Sequence, residues 1–150
     1  MKEIKLTQGM NAIVDDEDYD FLVLYKWHVV NGYAQNTKKT PLKVVNIYMH
    51  RLIMDFPDGE VDHINNNTLD NRKSNLRICS HRQNQLNQKL SRRNTSGYRG
   101  VSKYGKKWRA YISINGNDLF LGYFKTPEEA AKAYDQKSME FHGEFGKRNY

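Results

Sequence analysis

The sequence predicts an α+β chain assembled from small antiparallel sheets and short helices, and three observations carry that expectation. Two Asn-Gly pairs, Asn31-Gly32 and Asn115-Gly116, sit between arms rich in aromatic and β-branched residues, the pattern of a tight hairpin. Apolar residues alternate every second position in "WRAYISI" but recur at helical spacing in "TPEEAAKAYDQKSMEFHG". Finally, 150 residues with a single cysteine suffice for one ordinary domain or two small ones, with no internal disulfide.

Residues 1–48 read as a β-rich N-terminal segment around the hairpin "YKWHVVNGYAQNT". Its acidic run "DDEDYD", Asp15 to Asp20, reads as a solvated turn rather than a second metal site. In "VVNIYMHRLIMDF" Val45, Ile47 and Met49 alternate like a strand, while Leu52, Ile53 and Phe56 share a helical face, so a strand enters a short helix. "EVDHI" is then extended, "NNNTLDNRKS" is loop, "NLRICS" is a second strand and "HRQNQLNQKL" is a helix of about three turns. Residues 49–90 therefore form a strand, loop, strand, helix core. "KLSRRNTSG" lacks any period, which makes 91–96 a basic linker.

Residues 97–150 read as a three-stranded antiparallel sheet packed on one helix. "GYRGVSKY" is the first strand; on the second, Trp108, Ala110, Ile112 and Ile114 alternate with Arg109, Tyr111 and Ser113; Leu119 and Leu121 give the third its core face. Thr126 is the N-cap of the helix, Pro127 its first residue, Glu129 the partner in a capping box and Gly143 its stop. Ala130, Ala133, Tyr134 and Phe141 form its apolar face.

Charge is uneven. The chain has 24 Lys+Arg against 17 Asp+Glu, yet residues 1–60 carry seven basic and nine acidic side chains while residues 91–150 carry twelve and six. A basic C-terminal part favours a polyanionic partner. No apolar run approaches the roughly 18–20 residues of a membrane span, and "MKEIKLTQGMN" lacks the apolar core of a secretion signal. Cys79 reads as a small buried apolar residue, and the expected setting is the host-cell cytoplasm, away from membranes.

The densest chemistry lies in "VDHINNNTLDNRKSNLRICSHRQN". Cutting a phosphodiester requires an activated water and something to neutralise charge on the phosphate and the departing oxygen. Asp62 offers the carboxylate that Mg²⁺ or Mn²⁺ prefers, and Asn84 can add an amide oxygen. His63, pointing away from Asp62 on an extended segment, can be the base, and Asn75 can bond its ring or fix the loop that does. Asn65, Asn66 and Asn67 belong to the loop; His28, His81 and His142 read as ordinary polar residues.

The pattern D-H-I-N-x₅-N-R-x₂-N-L-R-x₆-N, over about Met49 to Leu90, resembles the HNH homing endonucleases of the ββα-metal class. The resemblance implies one divalent ion held by Asp62 and Asn84, His63 as general base and Asn75 as its orienter, and through the segment "MHRLI" it makes His50 a supporting candidate for a phosphate contact. Asn84 stands where many HNH sites carry histidine.

On the C-terminal sheet, alternation turns Arg109, Tyr111, Ser113, Asp118 and Phe120 away from the helix, with Arg99 on the first strand, where they can meet phosphates and base edges of duplex DNA. Arg92 and Arg93 in the linker are candidate phosphate contacts. "YRGV", "LGYF" and "EEAAKAYD" resemble the AP-two/ERF (APETALA and ethylene-response-factor) DNA-binding domain over Gly97 to Tyr150. Ser102, Tyr104, Ser113 and Asp118 replace arginines that plant members use on DNA. The combined expectation is a phage or mobile-element endonuclease tethered to double-stranded DNA by its C-terminal module, nicking as a monomer or cutting both strands as a dimer. Its rivals are a non-catalytic DNA-binding regulator built on the same scaffold, and an RNA binder stacking bases on Tyr98, Tyr104 and Tyr111.

Overall fold

The computed structural model describes residues 1–150, an α+β chain in two compact units, Met1–His81 and Arg82–Tyr150. In the first unit β1 (Lys2–Lys5) and β2 (Asn11–Val14) form an antiparallel hairpin, Lys2 opposite Val14. α1 (Asp16–Leu22) follows, then a sheet of β3 (His28–Val30), β4 (Tyr33–Lys39) and β5 (Val44–Tyr48) in sequential order. Asn31 and Gly32 both take positive φ, 51° and 86°, as the tight turn between β3 and β4 demands. Ile4, Val14, Leu22 and Ala34 from these elements, with Trp27 ahead of β3 and Met49 after β5, are part of the core.

β5 runs into α2 (Met49–Ile53), the expected strand-to-helix change, although Phe56 lies beyond the helix and is exposed. β6 (Glu60–His63) and β7 (Leu76–Cys79) pair antiparallel with Asp62 opposite Arg77 and His63 opposite Leu76. α3 (His81–Asn87) follows, seven residues rather than about three turns. The acidic run is the first turn of α1: Asp15 Oδ2 accepts from Lys73 N at 2.7 Å, and Lys73 Nζ reaches Glu17 at 2.6 Å and Asp18 at 3.2 Å. It therefore clamps the chain just before β7, a role beyond that of a solvated turn.

The second unit is built on β8 (Val101–Tyr104), β9 (Lys107–Ile114) and β10 (Asn117–Phe124), ordered β10-β9-β8, covered by α4 (Pro127–His142). Thr126 Oγ1 accepts from Glu129 N at 3.2 Å, while the Glu129 carboxylate accepts from Lys125 N at 3.1 Å, one residue earlier than a capping box requires. The buried face of α4 is Ala130, Ala131, Tyr134 and Ser138; Phe141, assigned to it from periodicity, is exposed. Ala110 and Ile112 are buried on the sheet, whereas Leu119, opposite Ile112, is 42 % exposed.

Small residues on α4 match a close approach of backbone. Gly100, at φ 69°, leaves no room for a side chain: a Cβ there would overlap the Tyr134 ring and stand 2.5 Å from Tyr111 O. Gly100→Ala is expected to cost about 1–3 kcal/mol, from overlap plus a left-handed backbone. The check is the unfolding midpoint of the full chain, and an unchanged midpoint contradicts this packing account.

Candidate active site

β6 places two consecutive side chains on opposite faces of a two-stranded hairpin. Asp62 turns toward β7, where Arg77 Nε and Nη2 both donate to its Oδ2, at 2.9 and 2.8 Å. The pair is buried, with side-chain exposures of 7 % and 12 %. His63 turns the other way into a cluster of rings: its centroid is 5.1 Å from that of His50, edge to face, and 5.9 Å from that of Tyr33. His50, the second residue of α2, stacks on Tyr48 at 5.6 Å and tilts against Tyr33 at 5.4 Å. The opposed directions expected of Asp62 and His63 follow from the period of two along a strand.

Electrostatics follow burial. His50 is pushed down to about 3, chiefly because burial penalises the imidazolium, with His63 and Arg51 adding repulsion. Burial also lowers His63, opposed by its bond to Asn71 and by the carboxylates of Asp62 and Asp70. Both imidazoles are therefore neutral near pH 7. Burial raises the Tyr33 phenol, so the cluster carries no net charge of its own.

The loop from Asn65 to Asn75 is made of side-chain to backbone bonds. Asn65 Oδ1 accepts from Asn67 N at 2.8 Å and Asn67 Oδ1 from Leu69 N at 3.2 Å, as short polar side chains do in turns. Asn75 Oδ1 accepts from Asn65 N at 3.0 Å and its Nδ2 donates to Asp70 O at 2.7 Å. Of the two tasks open to Asn75, these bonds perform loop fixation. The ring of His63 instead meets Asn71, whose Oδ1 lies 3.3 Å from Nε2. Asp70 is held below the usual carboxylate range by the guanidinium of Arg72, at 2.7 and 2.6 Å. Asn71 and Arg77 stand in the sequence pattern without an assigned role, and Tyr33 and Tyr48 lie outside it. The register gives Arg77 its role, since it faces Asp62; nothing in the pattern pairs Asn71 with His63.

Asn84 is half-buried on α3 and belongs to the second unit, whereas Asp62, His63 and Asn75 belong to the first. No three His, Cys, Asp or Glu side chains gather to hold an ion. The carboxylate of Asp62 is nonetheless a donor type that suits a hard divalent ion that keeps several waters. Sharing Asp62 with Arg77 weakens its attraction for such an ion.

On the second unit, Arg109, Tyr111, Asp118 and Phe120 line a shallow hollow of about 280 Å³ on the sheet face turned from α4, with the Arg109 guanidinium 5.5 Å from the Tyr111 ring centre. Ser113 lines a different hollow near the β9–β10 turn, beside Asn115, Gly116 and Arg82. Arg99 corrects the sequence reading: β8 begins only at Val101, and Arg99 Nη2 donates to Gln88 O instead of standing on the sheet. Arg92 and Arg93 are exposed. Tyr104 and Tyr123 extend the aromatic surface, Tyr123 lying 5.1 Å from Tyr104 and 5.0 Å from Phe120. A bulge between Phe120 and Gly122 puts Tyr123 opposite Arg109, which plain alternation misses.

A buried carboxylate and a neutral histidine side by side on one strand of an antiparallel pair, with a helix next in the chain, are compatible with a protein of the nuclease type, and the comparisons support that class. The family model for HNH endonuclease matches residues 48–86. An uncharacterized HNH endonuclease of Acanthamoeba polyphaga mimivirus is 31% identical over 142 residues, 87% of this chain and 74% of that protein. The chain belongs to the HNH endonuclease family. It is also similar to Protein 3.8 of Escherichia phage T7, 32% identical over 89 residues, 58% of this chain and 73% of that protein. An AP2-like ethylene-responsive transcription factor of Oryza sativa subsp. japonica is 47% identical over 55 residues, 34% of this chain. The chain spans only 9% of that factor.

Proposed function

We propose that the protein is a metal-dependent DNA endonuclease of the homing type, from a phage or mobile element, acting on double-stranded DNA in the host cytoplasm. The observation that carries the reading is the buried Asp62-His63 pair, with the imidazole neutral and held by Asn71. His63 takes the proton of the attacking water as its oxygen bonds to phosphorus; the 3′-oxygen departs with the electron pair of the broken bond and gains a proton from solvent water, leaving 5′-phosphate and 3′-hydroxyl ends. Asp62 and Asn84 would hold Mg²⁺ or Mn²⁺, which supplies neutralisation of charge at the phosphate and the leaving oxygen. Asn75 keeps the loop closed around the histidine, and His50 packs the far side of the ring.

In this reading residues 49–90 are the catalytic core, 91–96 a basic linker and 97–150 an AP-two/ERF-like module that tethers the core. The basic residues of the second unit and the 55-residue similarity to a transcription factor support the tether. Arg109, Tyr111, Phe120 and Ser113 would face the groove and Arg92 and Arg93 the phosphates. The Asp62–Arg77 ion pair favours one second reading, a DNA-binding regulator whose carboxylate is kept for structure.

Incubating the purified protein with supercoiled plasmid, with and without Mg²⁺ or Mn²⁺, decides between them. Relaxed or linear DNA only with metal supports the nuclease; binding without conversion supports the regulator. For the tether, Arg109→Ala is expected to cost about 1–3 kcal/mol on a preferred site. Arg92→Ala is expected to weaken preferred and scrambled sites alike and to reduce the salt slope by about one unit. Affinity over a salt series separates the two behaviours, and equal losses for both variants on both sites would leave the sheet without a reading role.

A further inference from the structure

Asn71 is the most completely buried polar residue of the first unit, with no exposed surface, and it sits at the end of the hydrogen bond that His63 makes. An amide oxygen can only accept, so the 3.3 Å contact from Asn71 Oδ1 requires the proton of His63 to be on Nε2. The lone pair that can take a proton is then on Nδ1. Free histidine mixes its two neutral forms, and a base with its proton on the wrong nitrogen cannot act. Asn75, the residue that sequence spacing offers for this task, spends both its side-chain atoms on Asn65 N and Asp70 O.

Two further observations bear on Asn71. Its Nδ2 is buried without a partner, a cost that an apolar residue of similar size would avoid. Its position is fixed from outside the loop: Asn71 N donates to Ile13 O at 2.7 Å and Ile13 N donates to Leu69 O at 2.8 Å, a parallel bridge to β2. We infer that Asn71 is a positioning residue that fixes His63 as its Nε2–H tautomer, and that β2 of the N-terminal hairpin sets where Asn71 stands. This rests on the reading of His63 as the base, and it gives residues 1–14 a task in the reaction.

The test is a ¹⁵N–¹H long-range correlation spectrum of the imidazole of His63, recorded on the full chain without DNA or added metal. Wild type is expected to show a protonated Nε2 and an unprotonated Nδ1. In Asn71→Leu the two tautomers should mix, and kcat for plasmid cleavage should fall on the order of 10²-fold with KM for DNA unchanged. Asn71→Asp keeps an oxygen acceptor and should recover both the tautomer and most of kcat. A wild-type spectrum with the proton on Nδ1 overturns the inference, as does a folded Asn71→Leu protein with unchanged tautomer and kcat. If Asn71→Leu does not fold, the wild-type spectrum and Asn71→Asp still decide. Should His63→Ala cleave as wild type does, the base assignment fails instead, and the tautomer measurement stands apart from it.

Discussion

His63→Ala is expected to lower plasmid cleavage by on the order of 10²- to 10⁴-fold while leaving DNA affinity nearly unchanged, because a general base acts on the transition state and contributes little to binding. Asp62→Ala separates from it: removing a buried carboxylate takes away the ion pair with Arg77, so that variant should lose stability as well as activity. Cleavage rates and DNA affinity measured together on both variants are the check. A His63→Ala protein that cuts at the wild-type rate would remove the residue from the reaction.

The second large effect is on stability in acid. Folded His50 titrates at about 3, against 6.5 for the exposed group, so between those values the unfolded chain binds a proton that the folded chain refuses. Stability is therefore flat above pH 6.5 and falls as pH drops below it, by about 1.4 kcal/mol per pH unit. The loss reaches on the order of 3 kcal/mol by pH 4. His63 shifts in the same direction and adds to it. His50→Phe keeps a ring against Tyr33, Tyr48 and His63 but cannot be protonated, so its unfolding midpoint should depend less steeply on pH over this range. Equal slopes for the two proteins would assign the acid sensitivity to other groups.

Much of the fold was legible because its signals are local. The two Asn-Gly turns, the alternation of β9 and the Thr126-Pro127 start of α4 each depend on a few adjacent residues, and each is where the sequence places it. The misses arise from packing at a distance. Phe141 has helical spacing but is left exposed on α4, and Tyr123 faces outward only because a bulge adds one residue before it. At the candidate site, the neighbouring pair Asp62 and His63 could be read from alternation. Asn71 could not, since its contact with the imidazole depends on a loop folded by three other asparagines and on a strand 58 residues upstream of it.

That upstream strand has a consequence for how the molecule breathes. The amides of Ile13 and Asn71 are both engaged in the bridge between β2 and the loop, so neither can reach solvent unless the hairpin lifts away from the loop. Their protons should exchange with deuterium at a common rate, as one opening event, even though one lies near the start of the chain and the other beside the histidine. Each such opening also releases the backbone that carries Asn71, which makes the lifetime of the open state an interval in which the imidazole is unguided.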